Sequence, residues 1–547
     1  MQKAKYYIIS FLLAIAFNIN AQLPTGPEIA WQRCYGTSGY DFFTDAITTS
    51  DGGFAAYVVY GAADGDYLDT LQAYGRLMKF DSALNIVWQK SVANLAFEQI
   101  LEVSDGYVLC GATLADTGIA SGNHGHADIL LVKTDLNGNF LWSKCYGSSG
   151  VETFTSFLEL SNGDYLITGA SYSSGGDIPY NHGSGFTTDA IIIKTNNSGD
   201  IDWVKVIGGS DYEFPIGNSL ILNDNVTQIQ IYGASYDFDF NDCETEDLKK
   251  RMIINIDSLG NILKQNCISA EDDLLDFGGT VIHYKNKTLV ASVGNASSEL
   301  YPAPSGHLLR EGVIALIDTN LILNSMYQYG GSKNDIVYKI INDSEDNFYL
   351  FGVSNSNDYD LPENYNAGEE DDYWLFAIDS NFNLLWSKNF GGSNPNGEYT
   401  YKVTPSPGII LYANNFLYFF GQCQVPDVLP DYDIACGHIN PDLDDDTDAW
   451  LVAFDLSTVN IDTPIVENNF SVYPNPAENT IYVLNNMLDS NAYTFAIYNT
   501  LGQILLETSL INNEESIINI QTLPSGLYVA AFLKDGVIIQ SEKIILQ

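Results

Sequence analysis

Basic residues are scarce, with 23 Lys plus Arg in 547 residues against 69 Asp plus Glu, for a formal net charge of −46. Nucleic acid is thereby excluded as a partner, because neutralising phosphates takes a basic patch, and an anionic membrane surface is disfavoured on the same ground. Charged residues are only 17% of the chain, while 46% are hydrophobic and 13% aromatic. That is too much apolar material for an acidic disordered chain and enough for a large core. No helical apolar period runs through the central region, and no apolar run after the first 21 residues could span a bilayer. A nucleophile elbow, a metalloprotease helix motif, a phosphate-binding loop and a dinucleotide fingerprint are all missing. The seven cysteines are an odd number, so at least one is unpaired or partnered elsewhere.

What is present begins with an address. Lys3 and Lys5 precede an apolar run from Tyr6 to Phe17 and a polar stretch closing on Ala21. This is the organisation of a secretory signal peptide over residues 1–21, with cleavage expected after Ala21 and passage through the Sec translocon.

A repeated unit follows. An apolar run, an Asp or Asn, a turn and a short strand ending in Trp recurs at Trp88, Trp142, Trp203 and Trp386, with Lys264 and Ser325 in the Trp position of two further copies. The turn residue is Asp81, Asp135, Asn196, Asp257, Asp318, Asp379 and Asp455, and from Asp135 to Asp379 it recurs every 61 residues. A strand ending in Gly also occurs once per unit, at Gly61, Gly111, Gly169, Gly233, Gly294, Gly352 and Gly421. Seven four-stranded units predict an all-β, seven-bladed β-propeller over residues 22–456. The segment around Trp31 reads as an orphan fourth strand, and the unit ending at Asp455 lacks one. The N-terminal strand is therefore expected to complete the seventh blade and close the ring. The repeated Trp and Gly are read as packing residues between sheets.

A linker at 457–467 leads to short alternating strands in 468–547, which predict a small Ig-like β-sandwich. Tyr473-Pro474-Asn475-Pro476, the turn at Gly502, the segment with Gly526 and Tyr528, and a closing stretch with Lys543 appear there in order. With these elements the segment resembles the type A C-terminal sorting domain of the type IX secretion system. The resemblance implies periplasmic passage, recognition by an outer-membrane translocon, and a secreted or cell-surface product on the exterior of a Gram-negative bacterium.

Candidate sites are fewer. Cys423 and Cys436 share one loop and are the expected disulfide, whereas Cys34, Cys145 and Cys267 hold the same repeat position in different units, too far apart to bond. Asp442, Asp444, Asp446 and Asp448 alternate along one segment as oxygen ligands that would suit Ca²⁺, although the EF-hand pattern is not met. His124, His126 and Asp128 could also ligate a metal, but a polar loop is the simpler reading. The seven loops between second and third strands total 130 residues with 28 Asp plus Glu against 3 Lys plus Arg. They also carry Tyr67, Tyr172, Tyr180, Tyr236, Tyr359, Tyr365 and Tyr432. Long loops on a rigid scaffold are where binding resides, and Tyr offers stacking area with a polar tip. The leading expectation is a monomeric, non-catalytic binding protein without a cofactor other than Ca²⁺, taking a glycan, protein or divalent cation on this edge. The alternative is a secreted carbohydrate-active enzyme working at the mouth of the channel.

Overall fold

The computed structural model describes residues 26–546 except 62–74, 93–94, 96, 183–186, 224, 234–249, 270–278, 296–309, 362–370, 393–408, 425–432, 438–446, 460–469, 474–476, 478, 486–492, 500–503, 511–513 and 535–536. Residues 25–459 form one compact unit, and 460–547 belong to another.

Among the described residues the larger unit contains seven antiparallel sheets. Sheet 1 is Phe42–Thr48, Phe54–Val59, Gly75–Phe80 and Ile86–Val92. Sheet 2 is Gln99–Val103, Gly106–Thr113, Asp128–Asp135 and Phe140–Tyr146. Sheet 3 is Glu152–Glu159, Tyr165–Ser171, Asp189–Thr195 and Ile201–Ile207. In sheet 4 the first strand is split into Glu213–Pro215 and Leu220–Asn223, both paired with Val226–Gly233, followed by Lys250–Ile256 and Ile262–Ser269. Sheet 5 is Val281–Tyr284, Lys287–Asn295, Arg310–Ile317 and Leu323–Tyr329, and sheet 6 is Asp335–Asn342, Phe348–Ser354, Asp372–Ile378 and Leu384–Phe390. Sheet 7 takes three strands from the end of the unit, Ile409–Ala413, Phe416–Gln424 and Thr447–Asp455, and its fourth from the beginning, Glu28–Tyr35.

Apolar clusters join each sheet to the next. Phe351 and Leu375 of sheet 6 meet Phe419 and Val452 of sheet 7, and Phe420 and Leu451 of sheet 7 meet Phe54 and Met78 of sheet 1. The hairpin between third and fourth strands shows why Asp or Asn recurs there. Asp135 Oδ1 accepts from the backbone N–H groups of Asn137 and Asn139, and Asn196, Asp257, Asp318 and Asp379 repeat the arrangement. Such local bonds hold a turn without help from distant residues.

The same turn receives the repeated Trp. A Cβ on Gly138 would lie 2.5 Å from the ring of Trp88, and one on Gly199 would lie 2.8 Å from the ring of Trp142. Both glycines are left-handed, at φ 74° and 79°. Each Trp thus packs on the turn of the following sheet. Where Lys264 replaces Trp, its ammonium donates to Thr319 O at 2.6 Å in the turn of sheet 5. Trp386 packs on Gly26, just ahead of the N-terminal strand, so that strand carries a stand-in for the missing turn.

The expected Cys423–Cys436 disulfide is not formed. Cys34 bonds to Cys436 instead, with Cα atoms 5.5 Å apart, and Cys423 keeps a buried thiol. The cause is the strand pairing at the chain ends. Gln32, on the N-terminal strand, donates to Asp433 O and accepts from Ala435 N and Trp450 Nε1, pinning the loop that carries Cys436 beside Cys34. Cys267 is also disulfide-bonded, and Cys145 is free.

The C-terminal unit packs a three-stranded sheet (Phe470–Tyr473, Thr480–Asn485, Glu514–Asn519) on a four-stranded one (Tyr493–Tyr498, Ile504–Leu510, Gly526–Lys534, Val537–Leu546). Their shared core includes Ile481, Val483, Phe495, Ile497 and Phe532.

The Trp-on-Gly contact separates two glycine substitutions. Gly52 is also left-handed, at φ 82°, but a Cβ there meets nothing within 4 Å. Gly52→Ala is expected to cost about 1 kcal/mol, the conformational term alone. Gly199→Ala adds overpacking against Trp142 and is expected to cost about 2–4 kcal/mol. Denaturant unfolding of the two variants measures the difference.

Candidate functional site

The long loops leave each sheet from the end where its first and third strands begin, and that end is built around buried carboxylates. Asp128, Asp189, Glu311, Asp372 and Asp448 open the third strands of sheets 2, 3, 5, 6 and 7, each at most 3% exposed. Each stands seven residues before the repeated Asp or Asn at the far end of its strand. A second set, Asp41, Glu152, Glu213 and Asp335, lies at the start of first strands and is fully buried. These carboxylates are held by backbone donors four residues earlier: Thr37 N to Asp41 at 2.7 Å, Ser148 N to Glu152 at 2.8 Å, Gly209 N to Glu213 at 2.7 Å and Gly331 N to Asp335 at 2.7 Å.

Between the two sets sits a glycine. A Cβ on Gly147 would be 2.4 Å from Asp128 Oδ1 and 2.5 Å from Glu152 Oε2, and one on Gly330 would be 2.3 Å from Glu311 and 2.6 Å from Asp335. Only glycine lets both carboxylates approach the backbone there. A third carboxylate arrives from the next long loop. Gly147 N donates to Asp177 Oδ2 while Asp177 N donates back to Gly147 O, and Asp360 with Gly330 and Asp433 with Gly391 repeat this exchange. The long loops and the connections between sheets therefore form one hydrogen-bonded edge at these three junctions.

Two loops share a further device. Asn123-His124 and Asn181-His182 each use the Asn amide to donate to the last carbonyl of the second strand, Thr113 O and Ser171 O. Each then uses the His backbone N and Nδ1 to hold the buried third-strand carboxylate, His124 on Asp128 and His182 on Asp189. His124 Nε2 is 3.7 Å from Asp177. Burial lowers the pKa of His124, but the bond to Asp128 and the charges of Asp177, Asp128 and Glu152 outweigh it and raise it overall. Burial lifts Glu152, opposed by its Ser148 and Ser171 donors and reinforced by the charge of Asp128.

The first strands, each at one edge of its sheet, carry polar residues that reach the neighbouring sheet. Asp45 accepts from Ile100 N, Gln99 pairs with both backbone groups of Phe157, Ser156 accepts from Ser219 N, and Asn218 pairs with both backbone groups of Val281. Each links one sheet to the next. Burial, offset by Lys339 and the Ile100 and Ala46 backbone donors, lifts the Asp45 carboxyl up to about 6.

The expected site residues fall as follows. Asp448 is fully buried on a strand, opposite Cys423, as the third-strand carboxylate of sheet 7. Asp442, Asp444 and Asp446 lie outside the described residues, as do Ala21, Tyr67, Tyr236, Tyr365, Tyr432, Pro474, Asn475, Pro476 and Gly502. Among the described residues no group of three or more His, Cys, Asp or Glu is arranged to hold a metal ion. Tyr180 and Tyr359 are 47% and 55% exposed. Tyr40, Tyr212 and Phe214, which the loop reading did not include, are also exposed at this edge. In the C-terminal unit Tyr473 ends a strand, Gly526 begins one, Tyr528 donates to Pro524 O at 2.6 Å, and Lys543 pairs with Val529.

Residues 471–547 match the secretion system C-terminal sorting domain. This segment is a type IX C-terminal sorting domain. The sorting domain makes the chain a secreted or cell-surface protein handled by the type IX secretion system. No described helix is long and apolar enough to cross a membrane. No curated protein matches the chain. Among solved structures, Kluyveromyces lactis Hsv2 is similar at 9% identity and TM-score 0.35, covering 76% of this chain and 99% of its own. A subtype N10 neuraminidase-like protein from a little yellow-shouldered bat isolate is similar at 10% identity and TM-score 0.32, covering 67% and 96%. A Bacteroides vulgatus member of the DUF4221 family is similar at 10% identity and TM-score 0.33, covering 79% and 98%. At these scores the likenesses bear on neither ligand nor activity.

The His124 pair makes a pH-dependent contribution with a defined sign. Its pKa is higher folded than unfolded, so the stabilisation is full below the ordinary His value of about 6.5 and is lost as pH rises through the raised value. The melting-temperature difference between the wild type and His124→Gln should be larger at pH 5.5 than at pH 8.5, measured by thermal unfolding at both.

Proposed function

We propose that this chain is a secreted or surface-displayed binding protein: a closed seven-bladed β-propeller, residues 22–456, exported by a Sec signal peptide and a C-terminal sorting domain to the exterior of a Gram-negative bacterium. The ring reading is supported by the sheet that unites the two ends of the unit and by its apolar cluster with sheet 1. The observation that carries the binding reading is the placement of exposed rings. Tyr40, Tyr180, Tyr212, Phe214 and Tyr359 all lie at the acidic loop edge, and of the strongly exposed aromatics described only Phe140 lies elsewhere. Flat rings beside fixed polar groups suit the apolar face and hydroxyl rim of a sugar, or a protein partner. The acidity of the loops favours a neutral or cationic ligand over an anionic one. A Ca²⁺ held by Asp442, Asp444 and Asp446 would extend the same logic. A non-catalytic role fits the first strands, where Asp45, Gln99, Ser156 and Asn218 are committed to the backbone of the adjacent sheet.

Screening residues 22–460 on a glycan array and in pull-downs, with and without Ca²⁺, is expected to capture a glycan or protein. Tyr180→Ala and Tyr359→Ala should each weaken capture about tenfold, roughly 1.4 kcal/mol. Absence of any capture, or capture indifferent to both substitutions, would remove the reading. For export, deleting 471–547 should retain the protein in the periplasm, seen by fractionation and blotting. Normal surface delivery of the shortened chain would refute the route.

A further inference from the structure

Three sulfurs meet where the first strand joins the last sheet. Cys34, on Glu28–Tyr35, is bonded to Cys436, and its Sγ is also 3.6 Å from the Sγ of Cys423 on Phe416–Gln424. Cys423 is a free thiol, 4% exposed, packed in the same apolar cluster as Cys34. A separation of 3.6 Å is van der Waals contact between sulfurs, so the thiol already rests against a disulfide atom. This arrangement differs from a lone buried cysteine because attacking sulfur, attacked sulfur and leaving sulfur are all supplied by the same fold.

We infer that Cys34 is exchanged between two partners, with Cys423 serving as the internal thiol that breaks and remakes the fastening of the N-terminal strand. The Cys423 thiol gives up its proton, and the thiolate attacks Cys34 Sγ. A Cys34–Cys423 bond forms as Cys34–Cys436 breaks, and Cys436 leaves as a thiolate that takes up a proton. One disulfide and one thiol stand on each side of the step, so no external oxidant or reductant is required. The two bonds fasten the N-terminal strand differently. Cys34–Cys436 ties it to a loop, whereas Cys34–Cys423 would tie it across Thr447–Asp455 to the strand on the far side. The sulfurs must close from contact to about 2.05 Å, which requires the strands to shift. The strand that must yield is the outer one of its sheet, and its pairing is already irregular between Ile29 and Trp31.

The exchange has a use during export. Cys34 enters the periplasm long before either partner, and the chain ends can be fastened only once sheet 7 forms. Two acceptable partners raise the chance of capture, and exchange then resolves the product to the observed bond. Burial, reinforced by the charge of Asp448, pushes the Cys423 thiol well above its ordinary range, so the exchange is slow in the finished fold and fast while the strand is still docking.

Peptide mass spectrometry of the non-reduced full chain, after acid quenching and alkylation, tests this. Wild type held at pH 7 should carry Cys34–Cys436, with a Cys34–Cys423 fraction that forms about tenfold faster per pH unit towards pH 9. Cys436→Ser has two thiols at the seam and no bond to exchange, so oxidised glutathione is supplied as the two-electron acceptor. The variant should then carry Cys34–Cys423 as the glutathione is reduced, and Cys423→Ser should show Cys34–Cys436 alone at every pH. A wild type with one unchanging linkage from pH 7 to pH 9 would overturn the inference. So would Cys436→Ser protein that, after incubation with oxidised glutathione, has a native circular dichroism spectrum and both Cys34 and Cys423 still alkylated as free thiols. If Cys436→Ser does not fold, the wild-type pH series decides.

Discussion

The pairing of Glu28–Tyr35 with Thr447–Asp455 is the constraint on which the larger unit depends. Six of its sheets are built from consecutive chain, and each can form as soon as its residues are available. The seventh cannot, because its outer strand lies more than four hundred residues upstream of its neighbour. Without that strand, Thr447–Asp455 would present an unpaired edge, and Trp386 would lose the glycine on which it packs. The fastening is correspondingly redundant. Glu28 N donates to Thr458 Oγ1 where a hairpin would otherwise have turned back, Gln32 holds residues 433–435, and Cys34 adds the covalent link. A contact between chain ends lowers chain entropy more than any local contact, so it needs several independent anchors.

Between sheets the same need is met by cheaper means. Apolar clusters supply non-directional attraction, and the first-strand side chains add direction by bonding to backbone groups of the adjacent sheet. Gln99 and Asn218 are the clearest cases, since an amide satisfies one N–H and one C=O of the same residue. At the opposite side of the sheets that carry Trp88, Trp142, Trp203 and Trp386, the Trp-on-turn contact does the equivalent work with surface area. The carboxylate edge is different in kind: charge is buried there, and at the first-strand carboxylates it is tolerated because backbone N–H groups and hydroxyls from fixed loops replace water. Ser354 and Ser356, for example, both donate to Asp335. For the binding role proposed above, an edge so bonded from beneath would lower the entropy lost when its exposed rings meet a ligand.

Much of this was legible in the residues because it recurs. The 61-residue spacing of Asp135, Asn196, Asp257, Asp318 and Asp379 marks the hairpins, and the structure finds each at a turn held by its own side chain. The missing fourth strand after Asp455 pointed to the N-terminal strand, which is the one that pairs there. Two further regularities are present in the residues: the carboxylate seven positions before five of the seven repeated Asp or Asn residues, and the doubled Asn-His pair at 123–124 and 181–182. The first was hidden by its surroundings. Asp448 sits at the end of an acid-rich run, where alternation groups it with Asp442, Asp444 and Asp446 as an oxygen ligand, whereas its position relative to Asp455 assigns it to the buried set.

The disulfide shows the limit of spacing as a guide. Two cysteines in one loop, Cys423 and Cys436, are the natural pair when loop closure is the only consideration, because a short loop costs less entropy to close. Register decides otherwise. Cys423 stands on a strand opposite Asp448 and points into the cluster shared by sheets 6 and 7, while Cys436 is held at the outer strand by the loop's bonds to Gln32. Cys34 reaches both because its strand is the one that closes the sheet. The residue with two possible partners is therefore the one that arrives from the far end of the chain, and neither its neighbours nor its spacing could have identified it. Only the three-dimensional seam brings the three sulfurs together, and the same seam gives the surplus thiol its chemistry.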